Sequence, residues 1–316
     1  MSISYEHRSP GGAEGQRHLA LFYDDDQGYL DGILQFLGPP LAAGEQVVAA
    51  LPPERGRLLR SRLGESADKL ELIDMFELGR NPSRIIPEVE ALLARSSSGR
   101  LHYVGEPIWP GRSQEEIREA TKHEALINLA WPDAPISVLC PYHSRELAPE
   151  VLADAERTHP FVIRGGKTVR SEAYRGPAIP QGCDEPLPAP PAGARSITFT
   201  ANQLAAARAL VREVAESAGL SAARTRDLVL AASELSSNAI KHGHGAGVLR
   251  VWSQPRAVLC QVEDRGYIAD PLAGRRLPAP GAAGGLGLWM VNRLCDLVQA
   301  RTSRRGTTVR ALVRLD

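Results

Sequence analysis

The sequence predicts two folds in tandem: an α/β doubly wound parallel sheet over residues 17–174, then an α+β two-layer sandwich over residues 195–316. Three observations carry this. Short apolar runs alternate with amphipathic segments through the first half, the pattern of a parallel sheet covered on both faces. Strands and helices of the second half are segregated instead. Between them, residues 175–194 hold six prolines, three glycines and almost no large apolar side chain. Such a composition favours an extended, semi-rigid spacer. Residues 1–16 form a polar N-terminal tail.

In the first half, Leu19–Tyr23, Gln46–Leu51, Leu70–Met75, Leu101–Gly105 and Ile136–Tyr142 read as strands. Gln27–Leu37, Pro53–Leu63, Pro82–Arg95, Ser113–Ala130 and Pro149–Arg157 read as helices between and after them. Gly166-Lys167-Thr168 has the tail of a phosphate-binding loop, but Phe161 stands where its first glycine belongs, so a turn or hairpin is expected there.

In the second half, Ser196–Thr200 reads as a strand and Asn202–Ser217 as an amphipathic helix. Ser221 caps the next helix, which runs to Gly243 as its C-cap. On that helix Leu228, Val229, Ala232, Leu235, Ala239 and Ile240 recur at helical spacing. Glu234, Asn238 and His242 follow at i, i+4 and i+8, stacking a carboxylate, an amide and an imidazole along one side. Val248–Ser253 and Ala257–Glu263 form a hairpin that ends in Asp264-Arg265-Gly266. Tyr267 to Ala283 reads as a mobile segment, before Gly284-Gly285-Leu286-Gly287-Leu288 opens a helix. Leu297–Thr302 and Thr307–Leu315 are the closing strands.

The totals of Lys+Arg and Asp+Glu are both 37, and a neutral chain offers no global positive field for nucleic acid. Cys140, Cys183, Cys260 and Cys295 lie far apart, without a Cys-x-x-Cys or a His pairing at zinc spacing, and read as reduced thiols. No apolar run approaches the roughly 18 residues of a membrane span. The start lacks the apolar core of a signal peptide. A cytoplasmic chain is expected, with no direct contact to nucleic acid or membrane.

Residues 17–174 resemble the MEDS sensory domain of methanogen and methylotroph regulators. The resemblance rests on His18-Leu19-Ala20-Leu21-Phe22-Tyr23-Asp24, Cys140-Pro141-Tyr142, Leu147-Ala148-Pro149 and Arg157-Thr158-His159-Pro160. It implies a RecA/KaiC-like fold without its nucleotide loop, which senses a small organic molecule. His18, Tyr23, Glu106, Trp109, Cys140, Tyr142 and His159 lie at or near strand ends, where pockets of open α/β sheets form, and are the candidate ligand pocket.

Four features of the second half fall in one order: Glu-x-x-x-Asn on a helix, Asp-x-Gly after a strand, a glycine-rich turn into a helix, and Gly306-Thr307-Thr308. This order resembles the GHKL (HATPase_c, Bergerat) ATP-binding fold. Mg²⁺ accepts few protein oxygens, so Asn238 suits it. Glu234 would act as general base. Asp264 would accept the adenine amino proton, with Gly266 leaving room for the base. Gly284, Gly285, Gly287 and Leu288 would bring backbone N–H groups to phosphates at a helix N-terminus. Thr307 or Thr308 would support Asp264, and His242 borders the site or caps the helix.

Within that superfamily, Asp264–Arg275 and Gly285–Asp296 resemble the compact anti-sigma-factor serine/threonine kinases of the RsbW/SpoIIAB type. Ile268 departs from the second glycine of histidine kinases, and no His-Glu-x-x-Thr-Pro phosphoacceptor is present. The resemblance implies ATP and Mg²⁺ as cofactors, phosphorylation of an anti-sigma-factor antagonist of STAS type, and sequestration of a sigma factor. An ATP-binding interaction module without phosphotransfer, switched by a small molecule bound to the first domain, stays open. So does a homodimer.

Overall fold

A computed structural model describes residues 17–278 and 285–315. In the first half, β1 (Arg17–Tyr23), α1 (Asp26–Ala43), β2 (Gln46–Leu51), α2 (Pro53–Leu63), β3 (Leu70–Asp74), α3 (Met75–Leu78), α4 (Ile85–Ala94) and β4 (Leu101–Gly105) follow one another. Then come α5 (Gln114–Ala130), β5 (Ile136–His143), α6 (Pro149–Thr158), β6 (Phe161–Arg164) and β7 (Lys167–Arg170). They build a seven-stranded sheet of order β3-β2-β4-β5-β1-β6-β7, parallel except for the last pair.

One core lies on each face of this sheet, as alternation of side chains along buried strands requires. Tyr29, Ile33, Leu37 and Leu59 of α1 and α2 pack on Leu19, Leu21, Val47 and Leu139. Ile86, Val89, Ala120, Ile127 and Val151 of α4, α5 and α6 pack on Ala20, Val48, Val138 and Cys140. Helix α1 runs six residues past the Leu37 that Gly38-Pro39-Pro40 would mark as its end. Gly44, in the left-handed region at φ 71°, terminates it by donating to Leu41. Gly165 and Gly166, at φ 54° and 75°, turn β6 into β7, so Gly166-Lys167-Thr168 belongs to a hairpin.

The second half contains β8 (Arg195–Phe199), α7 (Leu204–Ser217), α8 (Ala222–His242), β9 (Gly247–Gln254), β10 (Ala257–Asp264), α9 (Leu286–Leu294), β11 (Leu297–Ser303) and β12 (Gly306–Arg314). Its sheet is antiparallel, of order β11-β12-β10-β9-β8. The three helices cover one face: Val211, Leu228, Leu235, Ala239 and Val291 pack on Leu249, Cys260, Val262 and Val309. The proline-rich stretch lies along the other face. Arg310 donates to the carbonyl of Pro188 at 2.5 Å and Arg301 to that of Glu185 at 3.0 Å.

Candidate functional site

Helix α8 begins where the Ser221 hydroxyl accepts the Arg224 N–H at 3.4 Å. Burial of Leu228, Ala232, Leu235 and Ala239 against the sheet leaves Glu234 and Asn238 half-buried at the edge toward α9. There the chain passes as Gly287. A Cβ on Gly287 would stand 2.8 Å from Glu234 Oε2 and 3.4 Å from the Asn238 amide nitrogen. The first turn of α9 therefore sits directly against the Glu234–Asn238 pair. Gly285, at φ 93°, precedes it, and among the described residues no side chain caps this helix start. Its free N–H groups are the ready-made partner of an anion.

Beside them opens a cavity of about 300 Å³. Apolar Leu235, Val262, Ile268, Leu288 and Val309 line it together with Asn238, His242, Asp264, Gly266 and Thr307. Asp264 ends β10, and its Oδ1 accepts the Gly266 N–H at 2.6 Å. Burial raises the Asp264 carboxyl above its ordinary range, against the opposing pull of that N–H and of His242 and His244. The Thr307 hydroxyl donates to the Gly266 carbonyl at 2.9 Å and lies 2.9 Å from the Thr302 hydroxyl. Thr302 in turn accepts the Ile268 N–H at 3.0 Å. Sequence reasoning missed Thr302, which pairs with Thr307 across β11 and β12.

Several expectations need correction. Thr308 alternates to the opposite face of β12 and borders the proline-rich stretch, not the cavity. Gly243 caps α8 as expected, at φ −104°, and His244 after it is the left-handed residue at φ 66°. Glycine at 243 serves close approach, since a Cβ would come within 2.5 Å of Asp264 Cβ. Gly266 likewise admits the His242 carbonyl, which a Cβ would meet at 2.5 Å. Gly284 lies outside the described residues, as do residues 279–283 of the expected mobile segment.

The described part of that segment docks on the first domain. Leu272 is buried in the core under α4 and α5. Buried Arg275 and Arg301 approach Glu119 of α5, at 3.5 and 2.8 Å. At the far end of α9, Arg84 donates to the carbonyls of Asn292, Arg293 and Cys295. Asn81 also donates to the Asn292 carbonyl, and Asn292 to that of Gly274. The first domain thus holds both the described part of this segment and the C-terminus of the helix whose N-terminus faces the cavity.

The seven pocket candidates of the first domain do not form one pocket. His18, Cys140 and Tyr142 lie on the face under α5, whereas Tyr23, five residues from His18, lies on the other. There Tyr23 and Tyr29 donate to the two oxygens of buried Glu106, at 3.2 and 3.1 Å. Burial pushes the Glu106 carboxyl up to about 7, with the Arg55 guanidinium and the two tyrosines opposing. Trp109 stands apart, its ring 4.9 Å from Phe76 and 4.2 Å from the Arg112 guanidinium. His18 and His159 join Cys140 and Glu124 in a buried cluster. Burial lowers His18 to about 4. Burial alone would raise Glu124, but the His159 and His18 rings outweigh it and hold the carboxyl well below its ordinary range. Glu124 was not singled out from the sequence. The available signal was a carboxylate in the helical stripe of Ala120 and Ile127.

Among the described residues no helix is long and apolar enough to cross a membrane. Residues 17–160 match the family model of MEDS, the methanogen/methylotroph, DcmR sensory domain. Residues 197–313 match that of the histidine kinase-like ATPase domain. The chain therefore carries a MEDS domain followed by a histidine kinase-like ATPase domain. No curated protein matches it. A solved structure of the RsbU and RsbW domains of Rv1364c from Mycobacterium tuberculosis is 24% identical, with 38% of this chain and 32% of that one covered. The TM-score between the two is 0.29.

Proposed function

We propose that the second domain is an ATP-dependent serine/threonine kinase of the anti-sigma-factor type, governed by the sensory domain before it, with a Bergerat fold behind a RecA-like one. The observation that carries the reading is the juxtaposition of Glu234, Asn238 and the uncapped start of α9 at Gly287. Asp264 and Gly266 would hold the adenine in the largely apolar cavity. Asn238 would hold Mg²⁺, a hard cation served by an amide oxygen, and the α9 N–H groups the phosphates. The fit is supported by the cradle at Gly287, which any side chain would fill. Mg²⁺-bound ATP supplies the γ-phosphoryl group.

Glu234 would take the proton of a partner's serine or threonine hydroxyl, whose oxygen would receive the γ-phosphoryl group with ADP as the leaving group. The acceptor would be an antagonist protein, and the unphosphorylated antagonist would compete with a sigma factor for this domain. The compartment for such a system is the cytoplasm. The docking of Leu272 and Arg275 on the sensory domain favours a second reading, in which nucleotide sets only the conformation of a binding module.

Glu234→Gln separates the two. It keeps size but removes the proton acceptor, so ATP binding should persist while transfer to the antagonist falls about 10²–10⁴-fold. A wild-type transfer rate in Glu234→Gln would remove Glu234 from the chemistry. No transfer by the wild type to any antagonist would favour the switch.

A further inference from the structure

Four side chains from four elements converge on the α5-covered face of the first sheet: His18 of β1, Cys140 of β5, Glu124 of α5 and His159 just after α6. Each is no more than 1% exposed. His18 Nε2 lies 3.0 Å from Glu124 Oε2 and 3.5 Å from Cys140 Sγ. Glu124 Oε2 lies 3.4 Å from both Cys140 Sγ and His159 Nε2. All four donor atoms fall within 4.8 Å of one another. Ligands about 2.0–2.3 Å from a tetrahedral Zn²⁺ stand roughly 3.3–3.8 Å apart, and the four separations above already come close to such edges.

Proton accounting sharpens the point. His18 Nδ1 faces the Asn128 amide oxygen at 3.2 Å, and Asn128 spends its NH₂ on the Thr158 carbonyl at 2.7 Å. His159 Nδ1 faces the Ala155 carbonyl at 2.8 Å. Both partners only accept, so both imidazoles donate from Nδ1 and, when neutral, turn an Nε2 lone pair inward. Two lone pairs, a carboxylate and a sulfur then meet in one dry place. Among the described residues, His159 Nε2 and Glu124 Oε1 are buried with no hydrogen-bond partner. The alternative of two charged imidazoliums would set like charges on rings 3.9 Å apart, away from water.

We propose that His18, Glu124, Cys140 and His159 bind one divalent metal ion of the zinc class. Two neutral imidazoles, a carboxylate and a thiolate balance a dication to zero net charge. The mixed nitrogen, sulfur and oxygen set excludes Mg²⁺ and Ca²⁺, which take oxygen ligands. Asn128 and the Ala155 carbonyl fix the imidazoles from outside, the usual arrangement around metal-bound histidine. Four protein ligands without solvent access make it a closed site, one that pins α5 to the sheet. The same helix presents Glu116 and Glu119 to the second domain.

The test uses the full chain stripped of metal and titrated with Co²⁺, then with Zn²⁺. One Co²⁺ per chain is expected, with intense tetrahedral d–d bands and a thiolate-to-metal charge-transfer band, both abolished by one equivalent of Zn²⁺. Cys140→Ser should remove the charge-transfer band. His159→Ala should weaken binding by more than about 100-fold, since even outer partners are worth roughly 10–100-fold. ATP binding by the same preparations reports folding and tests the kinase reading separately. A wild-type chain that binds no Co²⁺, or binds it without the charge-transfer band, would overturn the proposal. So would Co²⁺ affinity unchanged in His159→Ala.

Discussion

Each domain starts a helix at a sheet edge, and the two starts are built oppositely. After β1 the chain turns through Asp24, Asp25 and Asp26 into α1, and the Asp25 carboxylate itself accepts the Gly28 N–H at 2.8 Å. A cavity of about 720 Å³ opens there, bordered by Asp24, Asp25 and Asp31. Among the described residues, the start of α9 carries glycines, no side-chain cap and no acidic residue in its first turn. A side-chain carboxylate that caps a helix N-terminus takes the N–H groups that an anion would otherwise use. The first domain occupies its helix start with its own Asp25; among the described residues the second caps α9 with no side chain, and the Glu234 carboxylate stands beside its first turn from α8.

The largest expected effect sharpens the acidic side of this contrast. Glu106 follows β4 at the same sheet edge, and its folded-state value of about 7 lies above the ordinary 4.5. The folded chain then binds more protons than the unfolded one between these values. Stability contributed by protonated Glu106 is therefore present at low pH and lost as pH rises from about 4.5 to 7. The loss is of order 3 kcal/mol. Glu106→Gln should remove it, so that denaturant unfolding at pH 5 and pH 8 differs less in the variant than in the wild type. An equal pH dependence in both would show that Glu106 is charged when folded.

Next comes Gly287→Val, which fills the gap against Glu234 and Asn238. Calorimetry should find ATP affinity reduced about tenfold to 100-fold, or roughly 1.4–2.7 kcal/mol. Unchanged affinity would mean that phosphates bind elsewhere. The smallest effect belongs to Asp25→Ala, which removes the α1 cap at a cost of about 1 kcal/mol in thermal unfolding. Asp24 and Asp31 remain, so the variant should gain no ATP site. A second bound nucleotide in Asp25→Ala would break the comparison in the other direction.

The second domain was the more legible in sequence because its site is assembled from local signals. Glu234 and Asn238 are one helical turn apart, Asp264 and Gly266 share one turn, and each pattern survives without knowledge of the fold. Thr308 failed because the strand's alternation was not carried through to choose between adjacent threonines. The first domain hides more. The same alternation would have separated His18 from Tyr23, but which face of α5 meets the sheet is a tertiary fact. Glu124 and Asn128 therefore stayed invisible, and spacing rules for zinc cannot find ligands at 18, 124, 140 and 159. The hold of Arg84, Asn81 and Glu119 on the second domain is also long-range, with no periodicity to announce it.

The central claim is that nucleotide binds in the second domain and not in the first. Titration calorimetry of the full chain with ATP and Mg²⁺ tests it most directly, on the wild type and on Asp264→Asn. One ATP per chain, lost when the Asp264 acceptor becomes an amide, is the predicted result. Two ATP per chain, or undiminished affinity in Asp264→Asn, would contradict it.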